Sequence, residues 1–177
     1  MTGTTTGGGG RRTGRRRDPA ELLQAGLVAL AVISVGATAF ELASERHWND
    51  LEQLIPWAAL VVLLVAIVAV LVPARIGLTA SRVLAALVLA ASVYGVVDHT
   101  VANHDAGELD GRYSAVWEDL PVAQQWWYAV TKTVGPAPTL APGVLGQASL
   151  LVLLAGVGRT PRRGVERSST GRRAGLG

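Results

Sequence analysis

The chain has 177 residues, 50% of them hydrophobic and 16% charged, well below the roughly 25% charge of ordinary soluble domains. It has no cysteine, which excludes disulfides, thiolate metal sites and dithiol redox chemistry. The net charge of +3 conceals a strong asymmetry along the chain, and the apolar residues fall in blocks rather than on periodic faces, which argues against a soluble helical bundle.

Residues 1–18 open with a Thr/Gly run and continue into Arg11, Arg12 and Arg15–Arg17. Such a segment buries too little apolar surface to offset its ordering entropy, so a disordered basic tail is expected. Asp18-Pro19 then supplies an N-cap and a first-turn proline. The run 22–40 is free of charge and, at about 1.5 Å per residue, matches the hydrocarbon thickness of a bilayer. The arginines, this run and Ala37-Thr38-Ala39 together resemble a secretory signal, although the run exceeds the usual apolar length of such a segment. A charged outer connection leads to Ile55-Pro56-Trp57 and a second span over 55–72, halted by Pro73. The third apolar core, 83–97, is barely long enough and is expected to borrow turns, giving a span near 81–101.

The segment 102–138 is long and aromatic. Val122, Trp126, Ala129, Val130 and Val134 recur at helical spacing, beside Trp127 and Tyr128. This predicts an external amphipathic helix, either lying on a lipid leaflet or capping the ends of the spanning helices. The last span, 139–157, carries one conspicuous polar residue, Gln147, and residues 159–177 form a second basic tail expected to be disordered.

Charge sets the orientation. Thirteen of the sixteen basic residues lie in the two tails or at Arg75 and Arg82, leaving only Arg46, Arg112 and Lys132 in the other connections. Basic segments stay on the cytoplasmic side. The sequence therefore predicts an all-α, multi-pass protein of the plasma membrane: an antiparallel four-helix transmembrane bundle over 19–158 with both termini cytoplasmic. Basic residues beside a membrane span need no nucleic acid to explain them, and none is expected as a partner.

Candidate chemistry collects on the outer side. His47, His99 and His104, with Glu41 and Asp98, offer imidazole and carboxylate donors suited to a divalent metal such as zinc. His99 and His104 are five residues apart, about 140° around a helix, and no HExxH-type pair is present. Haem would need histidines facing one another inside the bundle, and these lie at helix ends. The four apolar cores hold no ionisable side chain to mark a transport path. Gln24, Ser34, Thr38, Ser92, Tyr94, Gln147 and Ser149 are read instead as interhelical hydrogen-bonding groups. No phosphate loop is formed by Gly7–Gly10, which lacks the following Lys-Ser/Thr.

The string Ala137-Pro138-Thr139-Leu140-Ala141-Pro142-Gly143-Val144-Leu145-Gly146-Gln147, with Glu41…His47-Trp48, Ile55-Pro56-Trp57 and the His99…His104 region, resembles small uncharacterised four-span bacterial integral membrane proteins. That resemblance implies a topology and no catalytic activity, and it directs attention to Glu41, His47, His99 and Gln147. The expectation is a non-enzymatic structural or accessory component, with no cofactor, that meets lipid, another membrane protein or its own copies. A metal- or cation-linked protein using the outer histidines and carboxylates is the alternative, followed by a small oligomeric transporter or channel.

Overall fold

The computed structural model describes residues 18–157, in which helices are joined by turns and no strand occurs. Helix α1 covers Pro19–Ser44, α2 Ile55–Leu71, α3 Arg75–Asp105, α4 Val122–Val130 and α5 Ala141–Ala155. The two basic tails predicted to be disordered lie outside the described residues.

Local chemistry explains the boundaries. Asp18 accepts a hydrogen bond from the Ala20 N–H at 3.0 Å and so caps α1, whose first residue is proline. The helix is longer than the expected 22–40 because polar residues extend it at both ends until Arg46 turns left-handed, with φ of 53°. There the N–H of His47 bonds the Leu42 carbonyl and the N–H of Arg46 bonds that of Ala43, the pairing of a Schellman motif. Helix α4 ends in the same way: Lys132 has φ of 55°, Thr133 bonds Tyr128 and Lys132 bonds Ala129.

Helix α3 contains the predicted third span and runs beyond it at both ends. It starts at Arg75, so only a tight turn separates it from α2, and Arg75 and Arg82 stand on the helix itself. Its 31 residues extend about 46 Å, some 16 Å beyond a hydrocarbon layer of about 30 Å. Helix α5 is correspondingly shorter than 139–157, because Thr139 and Leu140 are drawn into a turn. The stretches Pro19–Ser44, Glu52–Leu71 and Arg75–Leu109 are long and apolar enough to cross a membrane, and Ala141–Ala155 is a shorter apolar helix.

Helix α3 packs against both α2 and α5, and α1 leans mainly on α5 while touching α2 less. The core joins Ala31 of α1, Leu60, Leu63, Ala66 and Ile67 of α2, Ala85 and Val88 of α3, and Leu145, Ala148 and Val152 of α5. Small residues at these crossings allow close backbone approach, the packing that joins helices where no hydrophobic gradient exists. At the α3–α5 crossing, Ser92 donates to the Pro142 carbonyl, and a Cβ added to Gly146 would come within 2.7 Å of the Ser92 Oγ. One end of the pair is fastened by Arg82, whose guanidinium donates to the Gly156 carbonyl at 3.0 Å. At the other, the His99 Nδ1 meets the Pro138 carbonyl at 3.1 Å. These two bonds establish that α3 and α5 run antiparallel. Large apolar side chains such as Ile33, Phe40, Val61, Leu87 and Leu154 point outward, a surface that suits lipid contact.

Candidate functional site

The overhanging end of α3 is where the chain builds its most elaborate polar structure. Residues 106–140 fold back over it, with α4 packed along α3. Asn103 is fully buried at the centre. Its Nδ2 donates to the carbonyls of Ala137 at 2.9 Å and Ala129 at 3.2 Å and to the Thr139 Oγ1 at 3.0 Å. Its Oδ1 accepts from the Ala137 N–H at 2.8 Å. The side-chain amide thus pairs with both polar groups of Ala137, as a strand neighbour would. The adjoining Pro136 and Pro138 have no N–H to offer. Gly135 approaches closely, with φ of 76°, a conformation that glycine adopts without penalty. A Cβ there would also overlap Asn103.

Aromatic and charged contacts complete the cap. His104 stacks on Trp126 with ring centroids 4.3 Å apart and meets the edge of Trp117 at 5.6 Å. Trp117 is buried, and its carbonyl accepts from Gln125 Nε2 at 2.7 Å. Arg112 grips Asp110 as a fork, Nε to Oδ1 at 3.1 Å and Nη2 to Oδ2 at 2.9 Å, and also donates to the Thr133 carbonyl. The guanidinium holds the Asp110 carboxyl below its usual range, and the carboxylate raises Arg112 in return. Tyr113 and Tyr128 meet at 4.9 Å.

The predicted face of α4 is rotated. Ala129 is buried and Val134, just beyond the helix, is buried too, but Val122, Trp126 and Val130 remain exposed. Gln124 and Gln125 are half-buried and spend their amides within the cap. Trp127 is the most exposed of the tryptophans, at 64%. Helix α4 therefore carries an outward strip formed by Trp127 and Val130, flanked by Trp126.

The five residues proposed as metal ligands are not gathered. Glu41 is exposed on the last turns of α1, and His47 follows in the α1–α2 link, where its carbonyl accepts from the Trp57 indole at 2.7 Å. On α3, Asp98 is exposed, His99 is bonded to Pro138, and His104 is held between two tryptophans. A carbonyl only accepts, so His99 must carry its proton on Nδ1 in that bond. Among the described residues no three His, Asp or Glu side chains come together closely enough to hold a metal ion. A shallow hollow of about 310 Å³ opens between Glu108, Ser114, Ala115, Glu118 and Asp119.

The polar residues expected at membrane depth divide. Ser92 bonds across helices as expected, whereas Ser149 bonds its own Leu145 carbonyl. Tyr94 and Gln147 face outward, and Gln24 Nε2 is buried without a hydrogen-bond partner among the described residues. The sequence reading overlooked Asn103 and Thr139. A signal was available in the Gly135-Pro136-Ala137-Pro138 string, which exposes carbonyls that some donor elsewhere must satisfy. No protein-family model, curated protein or solved structure matches the chain.

Proposed function

We infer that the chain is a non-enzymatic structural or accessory component of the plasma membrane. It crosses four times through α1, α2, α3 and α5, keeps both termini in the cytoplasm and presents its cap outside. The distribution of arginine supports this orientation. The short α5 reaches across because the turn before it and a locally thinned bilayer make up the difference.

The observation that carries the reading is the state of the cap. Asn103, Arg112 and the glutamines spend their polar groups on partners within the cap, while Trp127 and Val130 are left outside. A catalytic pocket is a well-formed, largely apolar cleft with a few convergent polar groups; the hollow beside Glu108, Ser114, Glu118 and Asp119 is shallow and open, and the cap offers an apolar, aromatic strip instead. Tryptophan is favoured at the level of lipid headgroups and at protein interfaces alike. The cap therefore acts as a contact surface at the outer membrane–water boundary.

A photo-crosslinking aromatic residue in place of Trp127, with Ser114 substituted as the water-facing control, tests this in intact membranes. Adducts to lipid or to a second membrane protein are expected at 127 and not at 114. Equal, background-level labelling at both positions would remove the contact role.

A further inference from the structure

The groove between the N-terminal half of α1 and the end of α2 has a polar mouth and an apolar floor. It is lined by Glu21, Gln24, Ala25, Val28 and Ala29 of α1 and Leu71 of α2, and is an open groove of about 320 Å³. It exists because α1 packs mainly on α5, leaving its side toward α2 less covered. Among the described residues, the Gln24 Nε2 in this groove is the one buried side-chain nitrogen or oxygen without a hydrogen-bond partner. A buried donor left unmade is costly.

The lining changes in character along α1. Glu21 and Gln24 lie toward the helix start, and Val28 and Ala29 follow about one turn deeper, roughly 6–7 Å along the axis. If α1 spans the membrane, its first turns meet one leaflet at headgroup depth and the next turns enter the acyl region. The matching ligand has an oxygen acceptor at the top and a chain of methylenes beneath. The positively charged run Arg15–Arg17 directly precedes the helix in sequence, and charge of that sign beside a membrane favours phosphate. Glu21 at the mouth works against a head of net negative charge and favours one that also carries an ammonium.

We propose that this groove holds one phospholipid from the leaflet facing the α1 N-terminus, with Gln24 donating to its phosphodiester. The acyl chain lies along Val28, Ala29 and Leu71. The amino-headed zwitterionic class is preferred, its ammonium facing Glu21. The proposal rests on the membrane-spanning reading of α1 and α2 but on neither the orientation nor the role of the cap.

Native mass spectrometry of the full chain in detergent, with added phosphatidylethanolamine, phosphatidylglycerol or diacylglycerol, reads the site directly. One phosphatidylethanolamine should be retained, more weakly phosphatidylglycerol, and no diacylglycerol, which lacks the phosphate. Gln24→Leu should weaken retention by at least about tenfold, the scale of a lost hydrogen bond to a charged group, without lowering the melting temperature in lipid-free detergent. A photo-reactive residue at Ala25 should label phospholipid. Unchanged retention in Gln24→Leu, equal retention of diacylglycerol, or labelling of residues 1–17 or of a second copy would each overturn the proposal. Recovery of the chain as a monomer without detergent would instead overturn the membrane reading itself, so the two failures are distinguishable.

Discussion

Asn103 is the residue on which the cap depends. Its amide answers both backbone groups of Ala137 and reaches Ala129 and Thr139, so truncation to alanine leaves several buried groups unpaired. Each such group costs about 1–3 kcal/mol. Asn103→Ala should therefore speed amide hydrogen exchange across 129–139 by about tenfold or more, while amides in the middle of α2 stay unchanged. Asp110 makes a second, pH-dependent contribution. Its carboxyl is held below the usual range by Arg112, so the folded cap binds that proton less readily than the unfolded chain does. The stabilisation is complete above the ordinary carboxylate value and is lost as pH falls through the lowered one. Near-ultraviolet circular dichroism of the cap aromatics should show an acid transition below about pH 4. Asp110→Asn should lack that component, and Arg112 stays charged throughout. The contribution is modest, because the Arg112 side chain is largely exposed to solvent.

At the level of elements, the helices owe their ends to capping groups and their neighbours to small residues. The α3–α5 crossing is a sharp case, since Gly146 abuts Ser92 whereas Gly143, one turn earlier, has open space around it. Gly143→Ala should raise the melting temperature in detergent, because alanine in an unobstructed helix is favoured over glycine by about 1 kcal/mol. Gly146→Ala gains the same propensity, but the new methyl displaces the Ser92 hydroxyl from the Pro142 carbonyl, so the melting temperature should fall. If both variants respond alike, close contact at Gly146 does not govern the crossing. Helix α3 illustrates a different rule. A hydropathy reading centres on the apolar run and stops where polar residues begin, yet Thr100, Asn103 and His104 remain helical because the cap packs around them. The extra turns are what place the cap beyond the bundle.

For the whole molecule, orientation is the testable consequence. The chain has no cysteine, so any introduced thiol is a unique label. Ser114→Cys, on the cap, should react with a membrane-impermeant maleimide in intact cells, and Pro73→Cys, in the α2–α3 turn, only after the membrane is opened. The reverse pattern would invert the topology, and equal labelling would mean that no membrane separates the two positions. The helices packed around Leu63, Ala85 and Val152 expose large apolar side chains on their outer surfaces. A water-soluble protein seldom carries so extensive an apolar exterior.

Helix class, approximate limits and apolar character were legible in the sequence because each depends on local composition: charge-free runs, Asp18-Pro19, Ile55-Pro56 and the proline that ends α2. The aromatic helix at 122–130 was legible for the same reason, through its spacing. Which face of that helix turns inward was not, since the choice depends on Gln124 and Gln125 finding partners at Tyr128 and Trp117. The same limit applies to the histidines. Their expected place on one side of the membrane grouped His47, His99 and His104 as donors, but packing gave each a separate neighbourhood in the α1–α2 link, beside Pro138 and between two tryptophans. Local chemistry decides where a helix begins and ends; only the folded chain decides what each side chain meets, because partners such as Gly156 for Arg82 and Ala137 for Asn103 lie dozens of residues away and are chosen by shape and by the need to pair buried polar groups.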